Sequence, residues 1–388
     1  MSRTITGNWN YPTNIKFGPG AINELANACR ELGMTRPLLV TDEGLRELPM
    51  IRNALQANEA AGMPTGLFAD VQGNPVGGNV DAGVAACKAG QHDGIIAFGG
   101  GSALDAAKAI ALMVGQDRPL WDFEDVGDNW TRVNTDHIAP VVAVPTTSGT
   151  GSEVGRASVI TNDDLHQKKI IFHPTMLPGI VISDPELTCG LPPHITAATG
   201  IDAFVHCFEA LCAPGYHPMA DGIALEGMRL IADALPRAFA NGNDIEARAD
   251  MLAAASMGAT AFQKGLGGVH ALAHPVGAVY NAHHGLANAI LLPYVMAANR
   301  DAISDRMILL GRTLDLPDAN YEGVLKWVLN FREGMDIPND LAAIGIPADR
   351  AEDIGEMAWN DPSAGGNPVA LTAGEYSEIF LKAVQGNL

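Results

Sequence analysis

The sequence predicts two domains of different class, a parallel α/β domain followed by an all-helical one. Three observations lead there. Short apolar runs alternate with helical periods up to about residue 185, a glycine-rich turn follows directly on one of those runs, and beyond Leu191 only helical periods remain. A length of 388 residues also exceeds what one core usually supports.

The first half alternates in chain order. Ile15-Lys-Phe-Gly18-Pro-Gly20 is a short strand closed by a Gly/Pro turn, and a helical period follows through Ile22, Leu25, Ala28, Cys29 and Leu32. Pro37-Leu-Leu-Val40-Thr41-Asp42 has the form of a buried parallel strand whose last residue faces a crevice. A carboxylate there can bond the ribose hydroxyls of a dinucleotide and repel a 2′-phosphate; it serves as readily to cap the segment Glu43-Gly-Leu-Arg46. Gly66–Val71 is another strand, leading to the turn Gly73-Asn74-Pro75, and a helix over 79–90 precedes the strand Gly94–Phe98.

That strand runs straight into Gly99-Gly-Gly101-Ser102-Ala-Leu-Asp105-Ala-Ala-Lys108. The glycines let the backbone turn tightly, and the helix that follows aims its free N–H groups at whatever sits there, with a pyrophosphate the expected guest. The turn lacks the Gly-x-Gly-x-x-Gly spacing and comes after the acidic strand end, so the usual dinucleotide-fold order is not expected. Residues 115–137 have no period and read as a surface excursion. Pro140–Val144 is a strand, and Pro145-Thr146-Thr-Ser-Gly149-Thr150-Gly-Ser152-Glu153 offers five hydroxyls to phosphate and ribose oxygens. Val154–Ile160 and Lys168–Phe172 suggest a β-ribbon, and Gly179–Asp184 a last strand. Lys168 or Lys169 can reach back to a cofactor; a solvated pair accounts for them equally.

The second half, with the boundary near 185–190, predicts helices over 194–212, 218–240, 244–262, 266–281, 286–298, 301–313, 321–335, 347–358 and 372–385. Its histidines cluster. Asp202 and His206 sit four apart, which on a helix places both side chains on one face at about 5 to 6 Å between Cβ atoms. His270 and His274 repeat the spacing, and His283-His284 follow in the same glycine-bordered stretch. Taken together they predict a divalent metal on Asp202, His206, His270 and His284, with His274 beside it. Scattered core and capping histidines are the alternative for any one of them.

The chain has 24 basic and 44 acidic residues, a formal charge of -20, which argues against nucleic acid or an anionic membrane as partner. Its five cysteines form no Cys-x-x-Cys pair and read as small buried hydrophobes in a reducing compartment. With no apolar signal core at the start and no run of 18 apolar residues, a cytoplasmic protein is expected.

Read as a whole, the chain resembles an iron-containing (group III) alcohol dehydrogenase, of the superfamily that holds glycerol dehydrogenase and dehydroquinate synthase. The likeness is carried by Ile15–Gly20, Gly99-Gly-Gly-Ser-Ala-Leu-Asp105, Pro145-Thr-Thr-Ser-Gly-Thr-Gly-Ser-Glu153, Asp184-Pro-Glu-Leu187, Gly200-Ile-Asp-Ala-Phe-Val-His206 and His270-Ala-Leu-Ala-His-Pro275, in that order. It implies a modified Rossmann-like NAD-binding domain over 1–187, an all-helical metal-binding domain over 188–388, and a site in the cleft between them. Asp202, His206, His270 and His284 match the family's metal ligands, and His274 the non-ligating histidine that relays a proton. Asp42 matches the carboxylate that selects NAD over NADP. Gly100, Gly101, Ser102, Thr146, Thr147 and Thr150 match the pyrophosphate and ribose contacts, and Lys168 fits the cofactor-side lysine better than Lys169. Asn74 and Asp105 complete the candidate cofactor set.

The implied activity is metal-assisted hydride transfer between NAD(H) and a small alcohol or its aldehyde or ketone, in a homo-oligomer of two or more chains. Ligands without thiolate suit Fe(II) or Zn, and the family favours iron. Two departures stand out. His283 occupies a position where relatives often carry proline, which leaves open which of the adjacent pair ligates. Asp361-Pro-Ser-Ala-Gly-Gly-Asn367-Pro-Val369 has valine where many members carry arginine. Lys264, just before the metal stretch, either meets an anionic group on the substrate or is solvated. A lyase of the dehydroquinate-synthase type and a silent scaffold are the rival readings; the first needs a row of Lys and Arg that 190–290 lacks, and intact ligand positions oppose the second.

Overall fold

The structure, a computed structural model, describes residues 7–9, 13–165 and 167–388; residues 1–6, on which the expectation of no signal core rests, lie outside them. Two compact units emerge. One comprises the chain up to Thr147 with Gly151–Gly190, the other Ser148–Thr150 with Leu191–Leu388.

The first unit is built on a sheet of β1 (Gly7–Trp9), β2 (Asn14–Phe17), β3 (Leu38–Asp42), β4 (Gly66–Val71), β5 (Ile95–Gly99), β6 (Val141–Pro145) and β9 (Ile180–Ser183), with β7 (Ala157–Asn162) and β8 (Gln167–Phe172) forming a separate antiparallel ribbon. The order is β1-β2-β9-β6-β5-β3-β4, and every pairing but β1 with β2 is parallel. Parallel strands covered on both faces need continuous apolar runs, and β5, β6 and β9 are buried at every residue. The helices are α1 (Leu25–Glu31), α2 (Pro49–Ala60), α3 (Gly77–Ala89) and α4 (Gly101–Met113).

This order accounts for the unusual motif sequence. From β3 the chain steps outward to β4, returns to β5 on the other side of β3, and continues through β6 to β9. The pattern is the doubly wound order 2-1-3-4-5, whose direction reverses between β3 and β5. Asp42 and Gly99 end those two strands, so the acidic strand end and the glycine turn are neighbours in the sheet although 57 residues apart in the chain.

α4 is buried from Ala103 to Met113, including Asp105 and Lys108. The Lys108 ammonium donates to the carbonyls of Ser152 and Ala157 and lies 3.4 Å from the Asp105 carboxylate, which itself accepts from the Ser152 hydroxyl and the Val159 amide. That tether explains a departure from expectation. Ser152–Val154 is a short 3-10 turn rather than strand, and β7 begins only at Ala157. The 115–137 excursion contains three 3-10 turns and buries Leu120 and Phe123, so it is partly packed.

The second unit is helical: α5 (Pro193–Cys212), α6 (Pro218–Ala240), α7 (Ile245–Ala261), α8 (Gly268–Tyr280), α9 (His284–Ala298), α10 (Arg300–Thr313), α11 (Tyr321–Glu333), α12 (Ala351–Trp359) and α13 (Ala373–Gln385). α5 is the described helix long and apolar enough to cross a bilayer, yet it runs through the core of this unit, buried on almost all of its length between α6, α7 and α9.

Among the cysteines, Cys29, Cys87, Cys207 and Cys212 are buried and Cys189 is half-buried, all as free thiols. Burial pushes the Cys29 and Cys207 thiols up to about 12. Alkylation of the native protein at pH 8 is therefore expected to leave both unmodified over hours while denatured chain reacts fully, as peptide mass mapping would show.

Candidate functional site

In the second unit four predicted residues converge. Asp202 and His206 share one face of α5, His270 lies in the first turn of α8, and His284 opens α9. Measured from Asp202 Oδ1, the Nε2 atoms stand at 4.0 Å for His206, 3.9 Å for His270 and 3.8 Å for His284. The ring centroids of His206 and His270 are 4.7 Å apart. Asp202, His206 and His270 are buried.

The tautomer of His270 follows from its neighbour. Glu209, one turn beyond His206 on α5, places Oε2 2.6 Å from His270 Nδ1. An ionised carboxylate only accepts, so Nδ1 carries a proton, and in the neutral ring the lone pair is then the one on Nε2, which faces Asp202. Burial pushes His206 down to about 4, against the pull of Asp202, so its imidazole is neutral at pH 7. The Gly149 backbone also faces it.

Asn288, a turn further along α9, supplies the donor side. Its Nδ2 lies 2.6 Å from Asp202 Oδ1, 3.2 Å from His270 Nε2 and 3.1 Å from His284 Nε2. Three atoms that can each accept thus converge on one amide nitrogen with two hydrogens. A buried cluster with more acceptors than donors fits a cation, and its N/O donor set suits a divalent ion of the Fe(II) or Zn kind.

The adjacent histidines separate cleanly. His283 is the N-cap of α9, its Nδ1 accepting from the Leu286 amide, and it lines a hollow of about 450 Å³ with Pro193, His194 and Phe239. His284, not His283, faces Asp202. The close approach of α9 to α5 requires Gly285, where a Cβ would lie 2.4 Å from the Ala198 carbonyl oxygen and 3.2 Å from Asp202 Cβ.

His274 stands beside this group, its ring stacked on His284 at 5.4 Å. Its Nδ1 is 2.8 Å from Asp361 Oδ2. Burial alone would lift the Asp361 carboxyl, but His274 and the Ser363 amide outweigh it and hold it below the usual carboxylate range. The same C-terminal motif serves α8 twice, since Asn367 accepts from the Gly268 amide while pairing with Asn299. Glu209, Asn288, Asp361 and Asn367 escaped the assignment made from sequence. Glu209 and Asn288 do fall at helical spacing from Asp202, His206 and His284, which is the signal that could have raised them.

Lys264 takes neither role foreseen for it. Its side chain is 2% exposed, its ammonium 2.6 Å from Asp221, which also pairs with Arg306 at 3.2 Å, and it reaches the Leu211 carbonyl. It is a buried structural cation that anchors the turn before α8 to α5 and α6.

In the first unit the predicted cofactor residues gather at the carboxyl edge of the sheet, where open α/β sheets bind ligands. Gly99 has φ 149°, and a Cβ there would meet Ala103 Cβ at 2.7 Å and Asp42 Oδ2 at 3.3 Å. Burial raises the Asp42 carboxyl, while the amides of Leu45 and Gly44 pull it back. Gly100, Gly101 and Ser102 follow at the start of α4, Thr146 donates its amide to the Gly99 carbonyl, and Thr147 packs on Gly100. Asn74 sits in the left-handed turn after β4. Lys168 and Lys169 alternate along β8: Lys169 pairs with Glu124 at 2.9 Å, and half-buried Lys168 lies opposite Thr161. Asp105 is turned inward to Ser152, Val159 and Lys108. Thr150 belongs to the second unit.

A doubly wound parallel sheet with a glycine turn at its switch point, joined in one chain to a helical unit whose Asp/His cluster could hold a metal ion, narrows the class to two-domain α/β proteins with a ligand edge and a candidate metal site. The family model described as iron-containing alcohol dehydrogenase matches residues 12–185, and that described as Fe-containing alcohol dehydrogenase family, C-terminal, matches 196–384. The chain is 38% identical to a 4-hydroxybutyrate dehydrogenase of Cupriavidus necator, covering 96% of this chain and 99% of the relative. It is 33% identical to an NAD-dependent methanol dehydrogenase of Bacillus methanolicus, covering 97% and 100%. A solved structure of a 1,3-propanediol oxidoreductase superposes with TM-score 0.88 at 34% identity, covering 97% and 99%. The chain belongs to the iron-containing alcohol dehydrogenase family. As such it is an oxidoreductase acting on CH–OH groups.

Two outcomes follow. Gly285→Ala is expected to push the first turn of α9 off α5, costing about 2 kcal/mol in urea unfolding and weakening Co(II) uptake measured by absorbance. Asp221→Ala strands the Lys264 ammonium in the core and is expected to cost about 3 kcal/mol in the same unfolding assay.

Proposed function

We propose that this chain is an NAD(H)-linked dehydrogenase that interconverts a small alcohol and its aldehyde or ketone with a divalent metal, Fe(II) by family precedent. In this reading residues 1–187 bind NAD and 188–388 hold the metal. The observation that carries it is the convergence of three imidazole Nε2 atoms on Asp202 Oδ1, with Asn288 Nδ2 facing the same point. The relatives named for 4-hydroxybutyrate, methanol and 1,3-propanediol support a short-chain hydroxyl substrate.

Asp202, His206, His270 and His284 would hold the cation. When bound, it supplies Lewis acidity toward the substrate's oxygen, and NAD supplies the hydride acceptor. The chain's own residues do the rest. Asp361 keeps the proton of His274 on Nδ1, which leaves Nε2 as the atom that takes up or returns the hydroxyl proton. Asp42 would bond the ribose hydroxyls and repel a 2′-phosphate, giving NAD over NADP. Gly100, Gly101 and Ser102 would present backbone amides to the pyrophosphate, with Thr146, Thr147 and Thr150 as neutral hydroxyl partners. Asn74 and Lys168 would contact the cofactor beside them. Asp105, with its carboxylate engaged inside the fold, would act by holding the loop at Ser152.

His270→Ala is expected to abolish turnover of short alcohols, followed as NADH absorbance, while NAD affinity measured by calorimetry changes less than about twofold, because sites that share no partners act independently to within about 0.5 kcal/mol. Turnover persisting at the wild-type rate would remove the ligand assignment.

A further inference from the structure

Glu209 is buried on α5 and both of its carboxylate oxygens are spent on α8. Oε1 accepts from the Val269 amide at 2.7 Å, one of the orphan donors at the N-terminus of that helix, and Oε2 accepts from His270 Nδ1 at 2.6 Å. The adjoining Gly268 amide goes to Asn367, so the first turn of α8 is held from two sides. One carboxylate therefore sets the position of the helix start and the tautomer and ring plane of the histidine in its first turn.

From this we infer that Glu209 is the positioning residue for metal ligation, acting through His270 rather than as a ligand itself. The inference rests on the metal reading of Asp202, His206, His270 and His284. Its physical content is directional. A glutamine at 209 keeps an oxygen for the Val269 amide but turns an –NH2 donor toward Nδ1. The imidazole then answers with its Nδ1 lone pair, and its proton moves to Nε2, the atom that faces Asp202. Shape and helix capping survive this exchange, and the ligating lone pair does not. Outer partners of metal-bound histidines typically matter at the level of 10- to 100-fold in metal affinity.

The test is Co(II) and Zn(II) binding to the full-length chain by chelator competition, for wild type, Glu209→Gln, Glu209→Asp and His270→Ala. One ion per wild-type chain, lost in His270→Ala, supports the underlying metal reading; no ion in wild type, or unchanged binding in His270→Ala, overturns that reading. With it standing, Glu209→Gln should bind about 10- to 100-fold more weakly with an altered Co(II) ligand-field band, and Glu209→Asp, which restores an acceptor, should regain the wild-type band. Wild-type affinity and band in Glu209→Gln would overturn the positioning role. If Glu209→Gln does not fold, two-bond 1H–15N spectra of histidine-labelled, zinc-loaded wild type decide it. A His270 ring protonated at Nδ1 supports the inference, and one protonated at Nε2 overturns it.

Discussion

The helical unit depends on a surplus of lone pairs brought together out of water. A carboxylate with three imidazole nitrogens each about 4 Å from it is costly to bury unless each acceptor meets a donor or a cation. Asn288 Nδ2 comes close to three of them, and it has two hydrogens to give. The surrounding architecture is arranged to make that crowding hold. α5 brings Asp202, His206 and Glu209 on one buried face, Glu209 and Asn367 fasten the start of α8, and Gly285 lets α9 close on Ala198. The Lys264–Asp221–Arg306 cluster, with the Lys264 side chain buried, fixes the turn leading into α8.

The α/β unit is organised differently, around the carboxyl edge of its parallel sheet. At its sheet edge a glycine with positive φ, a helix start and two threonines adjoin a single carboxylate. What keeps the edge in place lies behind it. Asp105 and Lys108, buried on α4, tie down the hydroxyl-rich loop through Ser152 and the start of β7 through Val159 and Ala157. The cluster is fully internal to one unit and turns a flexible Gly/Ser/Thr segment into a defined turn.

Much of this was legible along the chain. Continuous apolar runs announced β3, β5, β6 and β9, and the helical periods from 218 to 240 and 301 to 313 fall within a residue of α6 and α10. The spacing of Asp202 with His206 placed both on one helix face, where they lie. Other calls missed. The Val154 strand start failed because a loop tethered by Lys108 cannot extend, and the readings of Lys264 overlooked an aspartate 43 residues away. Asp361 and Glu209 bond histidines 87 and 61 residues distant, and no local pattern announces such pairings.

By itself the sequence determined the elements, their class and the residue types of both sites, because periodicity, glycine turns and i, i+4 spacing are local consequences of backbone geometry. Tertiary structure alone decided that the acidic strand end adjoins the glycine turn, that His284 rather than His283 faces Asp202, and that His270 and His274 each carry a proton on Nδ1. Those depend on strand order and on contacts between distant helices, where a hydrogen-bond partner is chosen by packing in three dimensions and not by neighbours in the chain.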